Sequence, residues 1–193
     1  MVVVLPSSDA VEGLCQRLLR LRTRLVPPRR GIVLLAGTPG SGKSTVSQAV
    51  VLRLAALGIC DVSMISMVNH DICQYARLPP QKLIGCQDGY HYPKTLLSTF
   101  KNPVEAFRRR GAPFTFNAMA FLETVVTISS TPVIGDENAI AFLSVPGFDH
   151  AVQDPTPGTV PIMSDAGIVI IEGNYTLLDE EPWRNIAPLA DEK

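Results

Sequence analysis

No stretch of this chain approaches the roughly 18 consecutive apolar residues that a membrane-crossing helix needs, so no membrane partner is expected. Basic residues are not in excess. The 17 Lys and Arg against 18 Asp and Glu leave a formal net charge of −1, which gives no electrostatic case for nucleic acid as the main ligand. Cysteine is scarce, with 4 residues and no CxxC pair, favouring reduced thiols in a cytoplasmic protein over a disulfide framework. His70, Cys73, Cys86 and His91 form only a loose zinc-ligand set, without the tight spacing of closed zinc sites. The opening MVVVLPSS is too short and too uncharged for a signal peptide. There is no Asn-Lys-x-Asp segment of the kind that reads guanine, no internal repeat and no low-complexity tract.

What is present fits one soluble domain over residues 1–193, with 46% hydrophobic and 18% charged residues. Residues 9–26 read as an amphipathic helix, with Val11, Leu14, Leu18, Leu21 and Leu25 at helical spacing. Arg17, Arg20 and Arg24 lie off that stripe, and Pro27-Pro28 stops the helix. An arginine-rich amphipathic start is also the form of a mitochondrial address, but Asp9 and Glu12 are out of place in one.

Ile32–Ala36 is an apolar run of strand length, residues 43–57 carry a helical period ending at Gly58, and Asp61–Met67 is a second short apolar run. Strand, helix, strand predicts a parallel sheet of the α/β class. Farther on, helices are expected from Asn102-Pro103 to about Arg110 and over Ala118–Ile128. A strand is expected at Ala139–Val145, a mixed stretch with several prolines follows, and another strand at Ile168–Ile171 ends in Glu172-Gly173.

The phosphate chemistry is the most specific signal. Gly37, Thr38, Pro39, Gly40, Ser41, Gly42, Lys43, Ser44 and Thr45 spell G-x4-G-K-S-T between a buried strand and a helix. Glycines there let backbone N–H groups converge on phosphate oxygens at the positive end of the helix. Lys43 is then expected to reach the β- and γ-phosphates of ATP, and the Ser44 hydroxyl to help hold Mg²⁺. Glu172, leaving a parallel strand at its C-terminal end, faces the ligand crevice and is a second candidate for the Mg²⁺ site. Asp88 in QDGYHYP suits a general base for a substrate hydroxyl, though an Asp-Gly pair reads equally well as a surface turn.

In this order, GTPGSGKST, QDGYHYP, FRRRGAPFTFN, FDHAVQDP and IVIIEGNYTLLDEEPW resemble the P-loop kinases related to uridine kinase, phosphoribulokinase and bacterial-type pantothenate kinase. The likeness lies with their fungal and bacterial nucleoside-kinase-like branch and runs over roughly residues 10–190. It implies a doubly wound parallel sheet and transfer of the ATP γ-phosphate to a hydroxyl of a small-molecule acceptor. It casts Asp88, Lys43 and Glu172 as catalytic. Tyr90, His91, Arg109, Arg110, Asp149, His150 and Tyr175 become candidate acceptor residues, with Asp154 bordering the same pocket. The two arginines suit a carboxylate or phosphate, or else simply close a basic helix end.

Two departures stand out. Residues 68–87 interrupt the passage from strand to DGYHYP and read as an insertion, either a loop over the acceptor site or a retained intron, since Val68 and Gln87 fit GT…CAG ends. The resemblance also implies further strands and a lid beyond Lys193. The chain is therefore expected to be C-terminally truncated, with Ile32–Ala36 left as an unpaired edge, and to be an impaired kinase or a non-catalytic ATP-binding protein.

Overall fold

The computed structural model describes residues 8–65, 83–84, 87–135, 139–149 and 151–193. Outside them lie Met67, His70, Cys73, Cys86, His150 and most of the interruption at 68–87.

Helix α1 (Ser8–Arg24) leads to strand β1 (Gly31–Ala36), helix α2 (Lys43–Ala56) and strand β2 (Val62–Ile65). Two residues from inside the interruption, Leu83–Ile84, form β3, and a 3-10 turn at Gln87–Tyr90 follows. Short helices α3 (Lys94–Leu97) and α4 (Pro103–Arg108) precede the longer α5 (Ala118–Ser130). Strands β4 (Ala141–Asp149), β5 (Asp154–Met163) and β6 (Ile168–Gly173) complete the regular elements.

Strands β1, β6, β2 and β3 form one sheet in that order, every neighbour parallel. β6 lies between β1 and β2 and all six of its residues are buried. An Ile/Val run can occupy such a position because both its faces meet apolar side chains. Successive residues of a strand point to opposite faces, and the two cores follow that alternation. Val33, Met64, Ile168 and Ile170 pack with Leu18 and Leu21 of α1 and Val50 and Leu54 of α2. Ile32, Leu34, Val169 and Ile171 pack with Phe121, Val125 and Ile128 of α5, together with Trp183 and Ile186. Helices thus cover both faces, which is the doubly wound arrangement.

The stretch beyond Val145 departs from expectation. β4 continues to Asp149, and the proline-rich segment after it is the strand β5, antiparallel to β4. Within a two-stranded ribbon each strand has one unpaired edge, where the missing N–H of Pro155, Pro157 and Pro161 costs no ladder bond. The ribbon packs against the 3-10 turn.

β1 is at the sheet edge, yet that edge is not bare. Asp191 N–H donates to Ile32 O at 2.8 Å, and Leu34 N–H donates to Glu192 O at 3.0 Å. The tail therefore runs parallel to β1. Arg17 and Arg24, seven residues apart on α1, both grip the Glu192 carboxylate, at 2.6 and 2.8 Å. These hydrogen bonds, Arg17 first, hold the Glu192 carboxyl below its ordinary value despite partial burial. A depressed carboxylate stabilises the fold fully above its unfolded pKa and loses that contribution as pH falls through the folded one. The melting-temperature gap between wild type and Glu192→Gln is thus expected in full above the ordinary glutamate pKa and should narrow as pH falls below it. A gap that is constant across that range refutes the role given to this carboxylate.

Candidate active site

β1 ends at Ala36 and the chain turns through Gly37–Gly42 into α2. Gly40 and Gly42 have φ of 76° and 84°, a left-handed region that other residues enter only at a cost. Gly42 sits at the N-cap of α2 with no side-chain cap, so the first amides of the helix face the loop, an arrangement suited to phosphate oxygens. The Lys43 ammonium folds back into this loop. It donates to Gly37 O at 2.7 Å, Thr38 O at 2.9 Å and Asn174 Oδ1 at 3.0 Å.

Ser44 and Glu172 meet. Ser44 Oγ donates to Glu172 Oε1 at 2.6 Å, and Ser47 Oγ lies 3.4 Å from Oε2. Alternation along β6 explains why: Glu172 points to the same face as Ile168 and Ile170, toward α2. Its carboxylate is buried, and the hydroxyls of Ser44 and Ser47 reach it. A hydroxyl and a carboxylate beside a phosphate-binding loop are the oxygen donors Mg²⁺ prefers, so these residues fit the ion.

Asp88 arrives on the 3-10 turn that follows β3, not at the end of β2. The interruption separates the two, and its last residues add a strand of their own. Gly89 is obligatory for contact, since a methyl group there would overlap the carbonyl of Pro146 on β4. His91 Nδ1 is 2.9 Å from Asp88 O. A carbonyl only accepts, so Nδ1 carries the proton and Nε2 is the acceptor. Burial lowers the His91 pKa more than Asp88 raises it, so the ring is neutral at pH 7. It stacks on Phe116 at 3.9 Å and lies 5.3 Å from Phe148 of the ribbon.

The other candidates take different places, some of them beside His91. Tyr90 is buried, its hydroxyl donating to Thr124 Oγ1 at 2.7 Å and its ring edge-on to Phe121. Arg110 turns inward to Asp154 at 2.7 Å and to Tyr92 O, while Arg109 stays exposed above Phe114, 3.8 Å from Glu105. Asp154 also accepts from the Lys94 backbone N–H, at 3.0 Å. Partial burial would raise its pKa, but the Arg110 and Lys94 hydrogen bonds prevail and lower it. Asp154 thereby ties the ribbon to the DGYHYP and RRRGAP segments. Asp149 accepts from Ala151 N–H at the ribbon tip. Tyr175 donates to Gly111 O at 2.6 Å, and burial pushes its phenol up. His150 is outside the described residues.

A cavity of about 510 Å³ opens between the 3-10 turn, α5 and the ribbon. Tyr90, His91, Tyr92, Thr124, Leu143 and Pro146 help to line it, and Asp88 is not among its described lining residues. Sequence reasoning missed Ser47 and Asn174 as partners of the phosphate loop. Ser47 sits one helical turn past Lys43, so the period of α2 carried that signal; Asn174 follows Glu172 by two, the spacing that repeats a face.

No protein-family model matches the chain. It is 31% identical over 188 residues to a putative uridine kinase of Schizosaccharomyces pombe, covering 97% of this chain and 68% of that protein. It is 38% identical over 105 residues to the ATP-dependent kinase-like protein notR' of Aspergillus versicolor, covering 54% of this chain and 59% of the other. Among solved structures, a putative fructose transport system kinase from Silicibacter sp. TM1040 superposes with a TM-score of 0.68 at 28% identity, over 94% of this chain and 71% of that one. The chain spans between 31% and 59% of the length of several curated relatives it matches. Among the described residues, no helix is long and apolar enough to cross a membrane.

Proposed function

This chain belongs to the P-loop kinases related to uridine kinase, and on that premise we propose that it transfers the γ-phosphate of ATP to a hydroxyl of a small metabolite. One observation carries the reading. Lys43 and Ser44 of the phosphate loop are hydrogen-bonded to Asn174 and Glu172 at the end of the adjacent strand, which makes a single constellation of loop and carboxylate. The amides of Gly37–Thr45 and Lys43 bind the phosphates. Ser44 and Glu172 hold Mg²⁺, which when bound neutralises charge on the phosphate oxygens. The acceptor oxygen attacks the γ-phosphorus, its proton passes to Asp88, and the bond to the ADP oxygen breaks. Neutral His91 offers Nε2 to a hydroxyl of the acceptor.

The relatives' names bring nucleosides and sugars forward as acceptors, and pantothenate-like acids complete the panel. ADP release measured across that panel, with a thermal-shift series in Mg²⁺ and a non-hydrolysable ATP analogue, tests the proposal. A ligand at about 100 times its Kd stabilises by about 2.7 kcal/mol, so wild type should shift clearly. Lys43→Ala is expected to lose most of that shift. A wild type that shows neither a shift nor acceptor-dependent ADP release overturns the kinase reading.

A further inference from the structure

The side chains at the end of β6 divide between two tasks. Glu172 reaches Ser44 and Ser47, and Asn174, two residues on, reaches Lys43. Tyr175, of opposite parity, packs with Phe116 and Trp183 on the other face and bonds Gly111 O. One short segment thus touches the phosphate loop and the acceptor-side segment at once.

A lysine ammonium has three N–H donors, and in this structure Gly37 O, Thr38 O and Asn174 Oδ1 engage Lys43. Two of those acceptors are carbonyls of the loop, where phosphate oxygens would compete for the same protons. The third stands outside the loop, on the end of a strand buried along its whole length.

We propose that Asn174 is a positioning residue for Lys43. Its Oδ1 fixes one N–H from the side of the sheet, so that the other two are aimed at the phosphate oxygens of ATP when the loop carbonyls release them. The inference rests on the kinase reading and adds the residue that orients the phosphate-binding lysine. The neutrality of the amide is part of the device. An aspartate at 174 would hold the ammonium more strongly, because an ionised acceptor roughly doubles such a bond. It would also set a negative charge beside the phosphates, and like charges placed together cost several-fold to many-fold in affinity.

Stability and nucleotide affinity should therefore rank the variants in opposite directions. Asn174→Asp is expected to melt at or above wild type without nucleotide, yet to bind the Mg²⁺–ATP analogue about tenfold or more weakly. Asn174→Ala should melt slightly lower and bind with an affinity between the two, with kcat falling more than the KM for ATP rises. Calorimetry with the analogue, melting curves of the ligand-free proteins and ADP-release kinetics on the full chain supply the readouts. Affinity that follows the stability order, or equal affinity in all three proteins, overturns the positioning role while the kinase reading stands. A wild type that binds no analogue overturns both together.

Discussion

Asp88→Asn lowers acceptor-dependent phosphoryl transfer by about 10²–10⁴-fold, the usual worth of a positioned general base, while affinity for the Mg²⁺–ATP analogue stays within about twofold. Asparagine keeps the shape of the side chain and loses the ability to take a proton. The backbone of the turn that carries Asp88 has contacts of its own. His91 is hydrogen-bonded to the backbone oxygen of Asp88, and Gly89 keeps the turn tight against Pro146. The loss should therefore appear in kcat and not in the nucleotide Kd, which depends on a different set of atoms at Gly37–Thr45. Single-turnover kinetics with the best acceptor of the panel would separate the two. Retention of more than about a tenth of the wild-type rate removes Asp88 from the role of base.

Arg30→Met destabilises the fold by about 3–5 kcal/mol, as expected for removing one side of a buried charged network. Arg30 is 1% exposed, just ahead of β1. It donates to Ala166 O at 2.6 Å, Ile128 O at 3.2 Å, Thr131 O at 3.1 Å and Ser164 O at 3.3 Å. The guanidinium carbon also lies 4.3 Å from the Phe142 ring centre. Burial pushes its pKa down to about 10, against the pull of Asp165, so it remains a cation at pH 7. Methionine fills similar space and takes the donor from four carbonyls, of which Ser164 O keeps the Ile134 N–H. The melting temperature should fall by about 6–20 °C, at about 2–4 °C per kcal/mol for a chain this long. Lysine places its donors on one nitrogen and cannot span carbonyls from both the α5 end and the turn before β6. Arg30→Lys should thus lie between the two. A methionine variant that melts within about 2 °C of wild type would falsify the structural role of this residue.

The contrast between these two residues explains what the sequence discloses. The phosphate loop is visible because its chemistry requires neighbours along the chain: glycines at fixed offsets, a strand before, a helix after; Asp88, whose Asp-Gly pair reads equally well as a turn, stands out only through the family resemblance. Glu172 was visible for a related reason, since an apolar run ending in a carboxylate places that group at the ligand side of a parallel sheet. Arg30 was not, because everything that makes it matter lies at residues 128–166. The same holds for Asn174 with Lys43, and for Arg110 with Asp154, a pairing that ties the ribbon to the segment around Arg110. β5 escaped for another reason. Proline is a breaker in a central strand, and only the knowledge that its partner is a lone ribbon strand makes Pro155 and Pro157 acceptable there. The bare edge expected at β1 was wrong because Trp183 and Ile186 pack into the core and return the tail to the sheet.

That tail has a practical consequence for anyone handling the protein. It runs parallel to β1, and β1 leads straight into Gly37. Any residues joined to Lys193, an affinity tag included, leave the fold heading for the phosphate loop. A tag ahead of α1 is attached instead to a helix whose arginines are engaged with Asp61 and Glu192. Binding measured on a C-terminally tagged chain would report the tag as well as the protein.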